Sequence, residues 1–384
     1  MDNELKSLTG LRGVAALYVV VYHFHPVTGN GPISAFFRHG YLAVDLFFVL
    51  SGFVMALNYG SMFRDGFSGK AYRKFLIRRI FRVYPLYLFI TTCLAAGLLL
   101  GGAVPMSNVF AFFFVIVANT LMIQSWGIAP SIVSSAWSIS TEWAAYLLFP
   151  LLVSILLYSR KSYVIAGSIA SLASIVTLSL VDPSLVLGSQ RERNGPLDLC
   201  AFDSIGPMVR CIAGFSLGLL AYRIRSIARV REILGCTPMS TTIGITVVAL
   251  LCIPLSDTAL AMLFPALIIS LSFQRGLLSK ILGTRAIYAL GVWSYSIYLI
   301  HGPFTDLIRV LAANPVVHSI PGAATALTVV SMVTVVALSA LAYSAIEEPA
   351  RSQLKNILLR QRVSPNTETA HHQPLPLDDV RSGS

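Results

Sequence analysis

The sequence predicts an all-α polytopic membrane protein with about ten transmembrane helices, one short re-entrant or peripheral segment, and both termini in the cytoplasm. Three observations carry this prediction. Of 384 residues, 55% are hydrophobic and only 12% charged, where a soluble domain holds about 25% charged residues. Apolar runs close to the ~20 residues that a bilayer requires recur along the whole chain. The formal charge of +11 is gathered in short clusters between those runs, as in the cytoplasmic loops of membrane proteins. Nucleic-acid binding is the poorer reading of that charge, because no aromatic-and-basic soluble module is present.

In chain order the candidate spans fall near residues 8–26, 39–60, 84–103, 107–124, 136–158, 163–181, 206–223, 238–255, 258–274, 286–312 and 322–346, eleven in all. The basic clusters between them decide the topology. The strongest is "RKFLIRRIFR", Arg73 to Arg82; the others are Arg160–Lys161, Arg223 to Arg231, Arg275 to Arg285 and Arg351 to Arg362. With positive charge in the cytoplasm, each stretch between neighbouring clusters must hold an even number of crossings. Only 84–158 breaks this rule, with three candidates. Segment 107–124 is the one expected not to cross, being short and followed by an uncharged loop rich in Ser, Gly and Pro. Ten crossings remain, in a membrane domain over residues 1–350. A basic, then polar and disordered, cytoplasmic tail is expected over 351–384.

The five cysteines, Cys93, Cys200, Cys211, Cys236 and Cys252, show neither CxxC nor metal-ligand spacing. They read as small hydrophobes, and no disulfide is expected. The arm before the first span mixes Asp2, Glu4 and Lys6 and lacks a small-residue cleavage site, so no cleavable signal peptide is expected. The longest outward connection, 182–205, either meets an acceptor or is a plain solvated loop. The His371–His372 pair on the tail makes a poor metal site.

Ionisable side chains within spans are costly and are functional candidates by default. Arg12 and His23, in "LRGVAALYVVVYHFH", are eleven residues apart. At about 100° and 1.5 Å per residue they return to within ~20° of one helix face, separated by roughly 16 Å of rise. His25 points about 200° away from His23. Arg12 either serves chemistry or snorkels to the inner headgroups; His23 is either a reactive group in the outer half or an interfacial residue. Asp45 is the one acid of "GYLAVDLFFVLSGFVMALNY" and falls at a similar depth to His23. It requires a partner, and it either orients His23 or bonds helices together.

In "FLIRRIFRVYP", Arg78 and Arg82 share a helix face with Arg79 on the flank. Such a cluster suits phosphate or anchors the chain on anionic lipid, and Pro85 marks where the basic helix should meet the next span. "AWSISTEWAAYLLFP" puts Ser138 and Glu142 on one face; its tryptophans, Trp137 and Trp143, taken alone read as interfacial belt residues. "GVWSYSIYLIHGPF" sets Ser294, Tyr298 and His301 in one polar stripe, and Gly302–Pro303 should break or kink that helix. Glu347, Glu348 and Pro349 read as a helix stop. Two chemistries are set aside: Ser51, in "VLSG", lacks the first glycine of a GxSG-like protease nucleophile, and no HExxH-type metal cluster is present.

Five stretches, "LTGLRGVAALYVVVYHF", "GYLAVDLFFVLSGFVM", "RRIFRVYPLY", "AWSISTEWAAYLLFP" and "SYSIYLIHGPF", together resemble the membrane-bound acyltransferase-3 family. The resemblance runs from residue 5 to about 350, and the order of the five motifs makes it specific. It implies about ten spans and an enzyme that acylates, most often acetylates, exported carbohydrates. Carried over residue by residue, the family's Arg-x10-His pair falls on Arg12 and His23, and its "DLFFVLSGF" segment on Asp45 to Phe53. The basic RxxR feature, linked with acyl-CoA, falls on Arg79 and Arg82. The "WSLxxE" element falls on Trp137 to Glu142, with Thr141–Glu142 where many members have a double glutamate.

The expected reaction is acyl transfer from cytoplasmic acetyl-CoA, used as a substrate, to a hydroxyl of an exported or cell-envelope carbohydrate or glycolipid. Arg78, Arg79 and Arg82 are the expected phosphate binders, with Arg12 at the pantetheine or the 3′-phosphate. His23 is the expected general base, Asp45 or Glu142 its orienter, and His301 the reserve base. Direct transfer and an acyl-histidine intermediate both stay open. No metal is called for, and nucleic acid is not an expected partner. Homo-oligomers or glycan-assembly partners in a bacterial inner membrane are. The rival class is a transporter or flippase whose buried polar residues line a substrate path.

Overall fold

A computed structural model describes residues 5–24, 31–181, 194–199, 204–312, 320 and 322–354. Among these residues every regular element is helical and none is a strand. Outside the described residues lie His25, most of the 182–205 connection with Cys200, and the tail from residue 355 with His371–His372. The four described cysteines form no disulfide.

The fifteen described helices are α1 (Lys6–Phe24), α2 (Pro32–Arg38), α3 (Ala43–Tyr59), α4 (Gly69–Leu100), α5 (Val109–Thr120), α6 (Trp137–Val153), α7 (Lys161–Leu180), α8 (Gly206–Ile224), α9 (Ala228–Leu234), α10 (Met239–Leu251), α11 (Asp257–Ser272), α12 (Gly276–Leu282), α13 (Arg285–Val292), α14 (Ser294–Ala312) and α15 (Ala323–Ala342). Seven helical stretches among the described residues are long and apolar enough to cross a bilayer, and two bent pairs, α9 with α10 at 69° and α11 with α12 at 82°, bring the total to nine if each pair is one span. Helix α5, within segment 107–124, has 12 residues and rises about 18 Å, well short of the ~30 Å hydrocarbon core.

Several boundaries differ from the sequence reading. The basic cluster and the apolar span after it are one 32-residue helix, α4, which runs through Pro85 without a break. Residues 286–312 are two helices, α13 and α14, parted at Trp293. Helix α14 is not broken at Gly302–Pro303. Proline there removes the N–H that the Leu299 carbonyl would accept, and Ser135 Oγ donates to that carbonyl instead, at 3.3 Å. A freed carbonyl inside a membrane protein must find such a partner, which is why the helix continues.

Helices α3 and α8 form the centre of the bundle. The window over Pro32–Phe63 is 78% buried and that over Gly206–Ile224 is 67% buried, against 22% for α4 and 17% for α7. Their crossing depends on small residues. A Cβ on Gly52 would stand 2.0 Å from the Phe215 carbonyl oxygen, and one on Gly218 would stand 2.0 Å from that of Val49. Around this pair α1 packs on α3 and α12–α14, α6 and α7 pack on α8, and α15 packs on α14.

Between α5 and α6 the chain folds inward as buried irregular backbone. Asn119 holds it: its Nδ2 donates to the Val115 and Pro130 carbonyls, both at 2.9 Å, and its Oδ1 accepts the Ile132 N–H at 3.0 Å. Trp126 Nε1 donates to the Ser140 carbonyl at 2.9 Å. The segment ends in the turn at Ser134–Ala136, which delivers Ser135 to α14. The Ser-, Gly- and Pro-bearing loop is thus tied to α6 and α14 by side-chain hydrogen bonds.

Candidate active site

Helix α1 carries Arg12 and His23, and glycines fix its rotation. A Cβ on Gly10 would lie 1.9 Å from the Leu282 carbonyl oxygen, and one on Gly13 2.5 Å from the Gly291 nitrogen. Only glycine lets α1 approach α12 and α13 so closely. Arg12, 200° of helix turn beyond Gly10, is left pointing away from that contact and into a cavity.

The cavity holds about 240 Å³ and is lined by Arg12, Arg79 and Arg82 together with Ser51, Ser138, Glu142, Tyr146, Ser294, Tyr295 and Tyr298. Arg79 is 8% exposed; its Nη2 donates to Tyr59 OH at 2.7 Å, and its guanidinium lies 4.9 Å from the centre of that ring. Its buried Nε has no hydrogen-bond partner. Glu142 accepts from Ser51 Oγ and, at 2.5 Å, from Tyr146 OH. Three guanidiniums and one carboxylate therefore share one chamber. The sequence brought Arg12, Arg79, Arg82 and Glu142 forward, and the fold puts all four together. Arg78 does not line it; its guanidinium lies 5.7 Å from the Tyr59 ring centre, on the helix flank.

At the far end of the cavity Tyr298 leads to the histidines. Ser138 Oγ and Tyr298 OH are hydrogen-bonded at 2.7 Å. The Tyr298 ring centre is 5.4 Å from that of His301, and His301 is 5.0 Å from His23. The stripe Ser294–Tyr298–His301 therefore runs from chamber to histidine pair, as its spacing predicts. His301 is 1% exposed and its Nδ1 has no hydrogen-bond partner. His23 is exposed, and its Nδ1 lies 2.9 Å from the Val19 carbonyl oxygen. A carbonyl only accepts, so Nδ1 carries the proton and Nε2 the lone pair of the neutral ring.

Of the two roles open for Asp45, the structure shows the one that bonds helices together. Its partner is Arg210, which donates through Nε at 2.8 Å and Nη2 at 2.5 Å. Arg210 is 1% exposed and also donates to the carbonyls of Leu199 and Tyr41, both at 3.2 Å. Trp137 packs beside this pair, with the Arg210 guanidinium 5.7 Å from its ring centre. Glu347 is more than a helix stop: 2% exposed, it accepts from Ser296 Oγ and from Arg351 Nη2, the latter at 2.9 Å. Sequence reasoning passed over Arg210 because it treated positive charge as loop charge, although this arginine lies five residues into an apolar helix. Among the described residues no group of three or more His, Cys, Asp or Glu side chains could hold a metal ion.

Fold and site define a helical integral membrane protein whose buried basic chamber opens along one polar stripe onto a histidine pair. A family profile described as "Acyltransferase domain" matches residues 5–344, and the chain belongs to that family, acyltransferase-3, as an acyltransferase enzyme. It is 27% identical over 316 residues to acyltransferase MdmB of Streptomyces mycarofaciens, covering 78% of each chain. It is 26% identical over 385 residues to a Bacillus subtilis (strain 168) protein named "Putative peptidoglycan O-acetyltransferase YrhL", covering 91% of this chain and 55% of the relative. The chain thus spans about half the length of that second relative. No solved structure matches the chain.

Proposed function

We propose that the chain is an O-acyltransferase that moves an acetyl group from acetyl-CoA to a hydroxyl of an exported or cell-envelope carbohydrate. One observation carries this reading: Arg12, Arg79 and Arg82 line a single cavity that Tyr298 and His301 connect to His23. Guanidiniums suit the donor's phosphates, and the unpartnered Arg79 Nε is a donor available to an oxygen of that substrate. The two ends of α1, eleven residues apart, would face donor and acceptor. The name of the Bacillus relative supports a glycan as acceptor.

In the proposed reaction His23 Nε2 takes the proton of the acceptor hydroxyl, and the oxygen attacks the thioester carbonyl. The new C–O ester bond forms as the C–S bond breaks. The departing coenzyme A thiolate takes back a proton from the imidazolium, so charge and atoms balance. Glu142, held by Ser51 and Tyr146, balances the arginines in the chamber. The membrane arrangement proposed with this is ten crossings, both termini cytoplasmic, α5 not crossing, in a bacterial inner membrane. Mass spectrometry of envelope glycans from cells with and without the gene tests it. Acetyl esters that depend on the gene are expected. Gene-dependent export of a glycan that gains no ester would refute acyl transfer and fit a transporter.

A further inference from the structure

Two buried ionic centres that the proposed reaction does not use converge on one short segment, residues 194–199. Asp257 is fully buried; it accepts from Tyr41 OH at 2.6 Å and from the Leu197 backbone N–H at 2.9 Å, and it lies 3.5 Å from His39 Nε2. Gly195 fits against the same centre, where a Cβ would stand 2.0 Å from the Tyr41 hydroxyl. The Asp45–Arg210 pair is the second centre, and through Arg210 Nη1 it holds the Leu199 carbonyl at 3.2 Å. Leu197 and Leu199 are accordingly 0% exposed. Burying charge is expensive, and here two such investments fasten six residues of connection.

What the fastening presents is polar. Asn194 is exposed and Asp198 partly so. Asn194 Nδ2 donates to Tyr22 OH at 2.7 Å, and Tyr22 OH donates to Asp198 Oδ2 at 3.3 Å. The Asn194 backbone N–H also donates to Asp198 Oδ2, at 3.2 Å. The Tyr22 ring stands edge-on to His23, 4.7 Å between centres. A carboxylate that accepts, an amide that does both and a phenol that does both therefore stand beside the proposed base.

We propose that Tyr22, Asn194 and Asp198 form the acceptor subsite, which binds adjacent hydroxyls of a neutral pyranose and brings a neighbouring hydroxyl to His23. The inference rests on the acyl-transfer reading for which molecule is bound. Adjacent sugar hydroxyls each need an acceptor for the proton and a donor for the oxygen, and this trio supplies both. The Asp198 carboxylate disfavours an acidic sugar or a phosphate at the same place. The subsite also gives the buried Asp45 a purpose: it is a positioning residue that acts through Arg210 on the segment.

Saturation-transfer NMR tests this with the whole chain in nanodiscs and the methyl glycosides of glucose, galactose, mannose and N-acetylglucosamine as probes. At least one glycoside should take up saturation from the wild type. That signal should fall about tenfold, the loss of one charge-assisted hydrogen bond, in Asp198→Asn and further in the Asn194→Ala/Asp198→Ala double variant. The melting shift caused by coenzyme A should be unchanged in both, which shows that they fold. Equal signals in the variants and the wild type, or no glycoside bound by the wild type, would overturn the subsite. Binding that depends on these residues supports it even if no acetyl group moves, a result that would count against acyl transfer instead.

Discussion

Replacing Arg210 with Met should destabilise the protein by about 3–5 kcal/mol, the range for breaking a buried ion pair from one side. Arg210 donates to four oxygens: both of Asp45, at 2.8 and 2.5 Å, and the carbonyls of Leu199 and Tyr41, at 3.2 Å each. Methionine fills much of the volume but leaves a carboxylate 5% exposed without a counter-charge. The stranded charge dominates, and each orphaned carbonyl adds about 1 kcal/mol or more. Asp45→Leu strands the guanidinium and should cost a similar amount. The double variant Asp45→Leu/Arg210→Met strands neither charge, so the two losses should fail to add by about 2–3 kcal/mol. Thermal unfolding of the four proteins in nanodiscs measures this. Strictly additive losses would refute the pair.

Three further outcomes follow from the packing and the chamber. Gly52→Ala and Gly218→Ala should each cost about 1–3 kcal/mol, because the added Cβ meets backbone at 2.0 Å; unchanged melting would contradict the close crossing of α3 and α8. Ser135→Ala should cost about 1 kcal/mol by leaving the Leu299 carbonyl, already freed by Pro303, without a donor, again read by melting. Arg79→Lys should weaken coenzyme A binding about tenfold or more by removing the guanidinium fork, and titration calorimetry giving the wild-type affinity would remove Arg79 from the donor site.

Much of this molecule is legible in its sequence because membrane insertion writes strong signals. Apolar length located most of the spans, and the odd count over 84–158 singled out the segment that folds as the short α5. Helical spacing put Arg12, Arg78, Arg82 and Glu142 forward and the resemblance added Arg79; all of these but Arg78 line the chamber, and Ser294, Tyr298 and His301 form the stripe their intervals describe. What stayed hidden was long-range pairing. Nothing local says that Asp45 meets an arginine 165 residues away, or that Tyr41 and His39 meet Asp257 across more than 200 residues. Two prolines show the same limit. Pro85 read as a junction of two helices and Pro303 as a break or kink; both lie inside continuous helices, and at Pro303 a serine from another segment takes the role of the missing donor to the Leu299 carbonyl. Composition shows where a backbone bond is lost but not which distant group replaces it.

In the proposed reaction His23 ends a path beginning at the arginine chamber and takes the acceptor's proton. Transfer of radiolabel from acetyl-CoA to envelope glycan tests it most directly, with wild type and His23→Ala in nanodiscs and coenzyme A binding measured on both. Labelled glycan is expected with the wild type, a fall of at least about a hundredfold in the variant, and equal coenzyme A binding. Full labelling by the variant would contradict it.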